Sequence, residues 1–309
     1  METGVAIQAF LLDRESSNVS PRTLEWYRQE LGAFCTVNPE LPETPDSIRL
    51  FLKDIQGADE TKHAYFRSLR AFYNFIHKEY GFPLASKRKS DEANPIKKIT
   101  APRIKRKVMR SLSLEELHQL LNAPNGAREA NWHLRDLAII TIIADTGIRL
   151  GEAILTWDAV NSDTINVNGK TGEREVPISP EALQLLGKLR DWNDTHFGTS
   201  QFVFLGKKGP LTPRGIQQVV RRAFMRAGLN GRRSTPHTLR HTFGRNWVAE
   251  GGDPYTLQQI FGHTTMTMVR RYVTMNTKEL VKQHRRFSPV RTQARLSQSS
   301  LWDETKLAA

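Results

Sequence analysis

Residues 235–242 read TPHTLRHT, and residues 145–152 read DTGIRLGE. In the first stretch Thr235 followed by Pro236 is a helix start, because proline at the first helical position loses no hydrogen bond and presets the backbone. His237 and Arg240, three apart, then share one face of that helix. In the second stretch Gly147 is a helix stop, since glycine takes the left-handed conformation that closes a helix, and Arg149 follows just beyond it. The residues before it, 134–146, read LRDLAIITIIADT and are apolar enough for a central helix. Both stretches thus put cationic side chains at the ends of buried helices, which predicts a mainly helical domain with polar groups gathered at its rim.

Working outward, Ser113 and Glu116 form a capping box ahead of Leu114, Leu117, Leu120 and Leu121. Two β-prone runs, 164–167 and 174–178, flank NGKTG at 168–172 and read as a hairpin. A helix is expected after Ser179-Pro180, then a short strand over 202–205. Thr212-Pro213 and Asp253-Pro254 repeat the helix-start signal, and the helices from 212, 235 and 253 should stop near Gly228, Gly251 and Gly262. This mostly helical domain with a small sheet is expected over 111–290. Residues 1–86 read as a helical bundle. Ser20-Pro21 leads into Leu24, Tyr27, Leu31 and Phe34, Thr44-Pro45 leads into Ile48, Phe51, Leu52 and Ile55, and a long helix runs from about Glu60 to Tyr80. A further short helix is expected around Ile7 to Leu12. Between the domains, 87–110 carries ten basic residues against Asp91 and Glu92, with Pro95 and Pro102 and little apolar periodicity, and reads as a basic linker. Residues 291–309 read as a polar tail.

The chain has 309 residues, 39% hydrophobic and 25% charged, with a net charge of +13. That is the composition of an ordinary globular protein of about two domains, and the charge points to a polyanion, most simply nucleic acid. The single cysteine, Cys35, excludes a disulfide framework and a multi-cysteine zinc site, and reads as an inert buried thiol. No apolar run approaches membrane-spanning length, and the N-terminus lacks a signal-peptide pattern. A cytoplasmic protein without membrane contact is expected, or a nuclear one in a eukaryotic host.

Arg149, Lys170 at the hairpin tip, His237, Arg240, His263 after the Gly262 stop, and Tyr272 nine residues later are each unremarkable alone. In this order and spacing they resemble the tyrosine recombinase (phage integrase) family, whose Arg-Lys-His-Arg-His/Trp-Tyr site is filled at every position. The resemblance covers about 110–287, and it identifies the first domain, less specifically, with the family's core-binding domain. It implies that Tyr272 attacks a DNA phosphodiester and forms a 3′-phosphotyrosyl bond. A phenol of pKa about 10 is only about 0.1% ionised at pH 7, so it needs neighbouring cations and a base. Arg149 and Arg240 would grip the non-bridging oxygens with paired donors. By the same resemblance Lys170 is the general acid, His237 the base or proton shuttle, and His263 a donor to the scissile phosphate. Glu152 would orient His237 or an arginine. His241 and Arg245 are expected to support the fold or contact DNA, and Arg270 and Arg271 to keep the tyrosine's surroundings positive.

No cofactor and no metal is expected. His237 and His241 have zinc-pair spacing, but Arg240 between them repels a cation and no further ligand completes a site. The expected partner is double-stranded DNA with inverted recognition sites, bound by a homotetramer in which the helix bearing Leu280, His284 and Phe287 docks on a neighbouring copy. Candidate DNA contacts are Lys97, Lys98, Arg103, Lys105, Arg106 and Lys107 in the linker, and Arg214, Gln217, Gln218 and Arg221 on the helix after Thr212. Two other readings stand beside recombination: a DNA-relaxing or resolving enzyme of the same chemistry, and a catalytically idle DNA-binding protein.

Overall fold

The computed structural model describes residues 1–84, 91–104, 110–123, 132–169, 172–229, 234–273 and 277–291. The chain divides into two units, Met1–Lys107 and Val108–Ala309.

In the first unit, α1 (Thr3–Ser16), α2 (Pro21–Val37), α3 (Pro45–Asp54) and α4 (Asp59–Tyr80) close around an aromatic core. Phe10, Phe34, Phe72 and Tyr73 are fully buried in it, and their rings meet edge to face, for example Phe10 with Phe72 at 5.7 Å, the arrangement aromatic quadrupoles favour. Ser20 caps α2 by accepting a hydrogen bond from the Thr23 amide at 3.3 Å. Cys35, on α2, is half-buried and packs against this core. The opening helix is longer than its short apolar run suggested.

The stretch expected as a linker is partly built into this unit. Asn94 is buried, donating to Asn74 Oδ1 at 3.1 Å, while its side chain accepts from the Ile96 amide at 3.2 Å and so caps a short 3-10 turn. Ile96 fills the core beside α4, and Arg49 of α3 donates to the Lys98 carbonyl at 3.0 Å. A single buried apolar residue has no period, so sequence patterning could not find it.

The second unit is organised on α6 (His133–Thr146), whose Ala138, Ile139, Ile140, Ile142 and Ile143 are all buried. Around it pack α7 (Pro180–Phe197), α8 (Pro213–Arg226) and α9 (Pro236–Ala249), with α5 (Leu114–Leu121), α10 (Pro254–Phe261), α11 (Met266–Val273) and α12 (Thr277–Phe287) outside. A helix apolar on all sides needs such a jacket. Both halves of the expected capping box on α5 form. Ser179, Thr212 and Asp253 each cap their helices, whereas Thr235 makes no side-chain cap bond and α9 begins on Pro236 alone. The hairpin is β1 (Thr164–Gly169) antiparallel to β2 (Gly172–Pro177), in a register that sets Gly169 opposite Gly172 and Val167 opposite Arg174. A second, minimal pair joins β3 (Leu205–Gly206) and β4 (Gly209–Pro210). No described helix is long and apolar enough to cross a membrane.

Candidate active site

Helix α6 stops at Gly147, whose left-handed backbone (φ 63°) turns the chain so that Arg149 faces the start of α9 and the end of α10. A side chain could not stand there: a Cβ would lie 2.9 Å from the Phe243 ring. Arg149 donates from Nη1 to Glu152 Oε1 at 2.9 Å and from Nη2 to the Gly262 carbonyl at 3.3 Å. Arg240, buried on α9, donates to the Gly147 carbonyl at 2.6 Å and the Phe261 carbonyl at 2.9 Å, and stacks 3.9 Å above the Phe261 ring. Burial, then the charge of Arg149, pulls its pKa down to about 10, and it stays a cation at neutral pH.

His263 follows the left-handed Gly262 that ends α10. Its Nε2 lies 3.0 Å from Arg240 Nη2. An arginine can only donate, so Nε2 accepts and the proton sits on Nδ1. That Nδ1 is buried and has no hydrogen-bond partner among the described residues. Burial together with Arg240 and Arg149 lowers the pKa of His263 to about 4, so the ring is neutral.

Tyr272, on α11, is only 2% exposed. Its ring packs against Gly244 of α9, where a Cβ would approach it to 2.9 Å, and meets Phe261 at 5.4 Å. Burial pushes the phenol above its ordinary pKa, against the opposing pull of the Arg240 and Arg271 charges and of a hydrogen bond with Arg240. The Tyr272 hydroxyl also lies 3.0 Å from His241 Nδ1. His241 in turn stacks on His237, rings 5.6 Å apart and 10° from parallel. Burial, then His237 and Arg271, lowers the His241 pKa to about 4, so the ring is neutral. The histidine on the tyrosine is therefore His241, which the sequence reading gave to fold support or DNA contact. His237, expected to assist the tyrosine, stands behind it with one side open to solvent; the protein packed around its other side, and the charge of Arg240, lower its pKa. The contact spans two helices, so only the four-residue spacing of the histidines could have hinted at it.

Glu152 lies beneath the cations. Burial raises its pKa, but hydrogen bonds from Arg174 and Arg149 outweigh this and hold it at about 2. It orients arginines rather than His237. Arg174, on β2, was not singled out from sequence; an arginine alternating along a hairpin strand reads as a solvated residue. Arg245 pairs with Glu279 of α12 at 2.5 Å. Arg270 and Arg271 are exposed on α11.

Lys170, the residue expected as general acid, lies outside the described residues, as do Lys105, Arg106 and Lys107. Lys97, Lys98 and Arg103 are exposed on the first unit. Arg214, Gln217, Gln218 and Arg221 form the exposed face of α8, opposite Ile216, Val219, Val220 and Ala223 in the core. Among the described residues no three His, Cys, Asp or Glu side chains gather as a metal site.

Two arginines, an imidazole and a tyrosine hydroxyl, brought together by the ends of four helices, form a cationic site that could hold an oxyanion beside a hydroxyl. Residues 110–279 match the phage integrase family, and the chain belongs to that family, the tyrosine recombinases, enzymes that cut and rejoin DNA. It is 28% identical over 293 residues to the tyrosine recombinase XerC of Chlamydia caviae, covering 84% of this chain and 91% of that one. It is 27% identical over 302 residues to XerC of Pelotomaculum thermopropionicum, covering 89% and 95%. Among solved structures, the Tn1549 transposon integrase in complex with transposon right-end DNA aligns with TM-score 0.71 and 18% identity, over 93% of this chain and all of that one. A lambda integrase tetramer bound to a Holliday junction aligns at 0.66 and 19%, over 86% and 79%. The shared element is the fold.

Proposed function

We propose that this chain is a cytoplasmic site-specific recombinase that cleaves duplex DNA through a 3′-phosphotyrosyl bond on Tyr272 and exchanges strands through a Holliday junction in a homotetramer on inverted sites. The observation that carries it is the Tyr272 hydroxyl, held by His241 on one side and beside the Arg240 guanidinium on the other. In this reading His241 takes the phenolic proton as the oxygen attacks phosphorus, and the departing 5′-oxygen takes a proton from Lys170. Arg149 and Arg240 offset the charge that builds on the non-bridging oxygens, with His263, against the Arg240 guanidinium, beside them. Losing one such donor costs about 3 kcal/mol, on the order of a hundredfold in rate. The bond energy is kept in the phosphotyrosine, so rejoining needs no nucleotide. The basic residues of the first unit and the polar face of α8 supply phosphate and base contacts.

A covalent-trapping assay tests this. Nicked duplexes that let the cleaved strand diffuse away are incubated with protein, and an adduct that survives boiling in detergent is sought. Wild type should form it and Tyr272→Phe should not, while both bind DNA alike. Equal behaviour of the two in strand cleavage would overturn the assignment.

A further inference from the structure

We propose that Arg174 is a positioning residue that sets the phosphate-gripping Arg149 and the His263 loop together; this rests on the recombinase reading above. Arg174 lies on β2, and its guanidinium makes a two-pronged contact with Glu152, Nη1 to Oε1 at 2.9 Å and Nη2 to Oε2 at 2.8 Å. Its remaining donor, Nε, reaches the Ile260 carbonyl in the last turn of α10 at 3.0 Å. Glu152, 2% exposed in its side chain, passes the constraint on. It accepts from the Arg149 amide at 2.8 Å and from Arg149 Nη1. Arg149 closes the ring by donating to the Gly262 carbonyl, two residues past Ile260. Both arginines are thus bridged by one carboxylate and anchored on one helix end, the end that delivers His263.

The ring leaves no slack. At Gly262 a Cβ would stand 3.1 Å from Arg174 Cδ and Nε, and at Gly169, on the partner strand, it would strike Glu152 Oε1. Glycine at both places lets the fork close. An arginine suits this task because its planar donors match a carboxylate in pairs, and a lysine ammonium cannot span both oxygens and a carbonyl. Without Arg174, Glu152 would hold a buried charge with Arg149 as its remaining side-chain partner among the described residues, and would draw that guanidinium inward, away from the phosphate.

The test separates positioning of the grip from simple support of the fold. Adduct formation is timed on a nicked duplex of the sequence recovered from trapping, and on the same duplex with a methylphosphonate at the scissile position. There a non-bridging oxygen is replaced by methyl and the charge that Arg149 grips is gone. Arg174→Gln should react tenfold or more slowly than wild type on the phosphate and within a few-fold of it on the methylphosphonate, with DNA affinity unchanged. Arg174→Lys, which keeps the charge and most of the stem, should show the same pattern more weakly, and serves if the glutamine variant does not fold. Wild-type rates in both variants, or equal losses on the two substrates, would overturn the assignment alone. A wild type that forms no adduct overturns the recombinase reading and this role with it.

Discussion

Gly169 sits at the end of β1 because the carboxylate of Glu152 occupies the space a side chain would need. Gly169→Ala must therefore push Glu152 away from the arginines it holds. The expected result is at least a tenfold drop in adduct formation with little change in DNA affinity, read by the trapping assay beside a binding titration. At this scale the sequence was readable where function lies along the chain. Arg149, Arg240 and His263 stand at helix ends that Gly and Pro announce, Tyr272 follows nine residues after His263, and their order identified the family. His241 and Arg174 were not readable as partners. His241 meets a tyrosine 31 residues away, and Arg174 a carbonyl 86 residues away, and no local pattern carries such distances.

Helices were readable because their boundaries are chemical. Pro21, Pro45, Pro180, Pro213, Pro236 and Pro254 each begin a helix, and Gly147 and Gly262 end two in the left-handed conformation. What failed was the stretch around Ile96, where one buried side chain and a side-chain cap replace any periodic face. Helix α12 shows what an element keeps for a partner. Its contacts with α9 are polar: Glu279 with Arg245, Lys282 with Glu250 at 2.8 Å, and Gln283 with the Ala249 carbonyl at 3.0 Å. Leu280 and Phe287 remain 56% and 62% exposed. Apolar side chains left out while the polar ones are satisfied fit a neighbouring copy, as the tetramer reading asks. Changing both to serine should leave the monomer's melting temperature within a degree or two, since exposed substitutions cost about 0.5 kcal/mol or less. Crosslinking on DNA should then lose species above the dimer. An undiminished tetramer would rule out this docking.

At the scale of the whole chain, two units with separate cores should respond oppositely to acid. In the second unit His241 and His263 have folded pKa values of about 4, depressed from 6.5 by burial and by neighbouring cations. Between those values the unfolded chain binds protons that the folded one refuses, so what the two histidines contribute falls as pH drops from about 6.5 to 4 and levels off below, where the loss of the Glu152 contribution takes over. In the first unit the sign reverses at Glu30. Burial raises its pKa above 4.5, and one carboxylate oxygen has no hydrogen-bond partner. The folded unit then holds a proton that the unfolded chain has already lost, a contribution that fades as pH rises through the raised value and returns on acidification. Calorimetry of fragments 1–107 and 108–309 should show the melting temperature of the second falling between pH 6.5 and 4 while that of the first holds or rises. Replacing His241 and His263 by glutamine should flatten the second curve in that window. A slope undiminished by the double change would mean that these two histidines do not carry the acid sensitivity; what His237 contributes, with its own lowered pKa, remains in the variant. Beside burial, Arg240 depresses both imidazoles and Arg149 depresses His263, and these two are the cations that would grip a phosphate. Adding duplex DNA should therefore raise both histidine pKa values and shift the window toward neutrality, because the bound anion offsets the charges that hold them down.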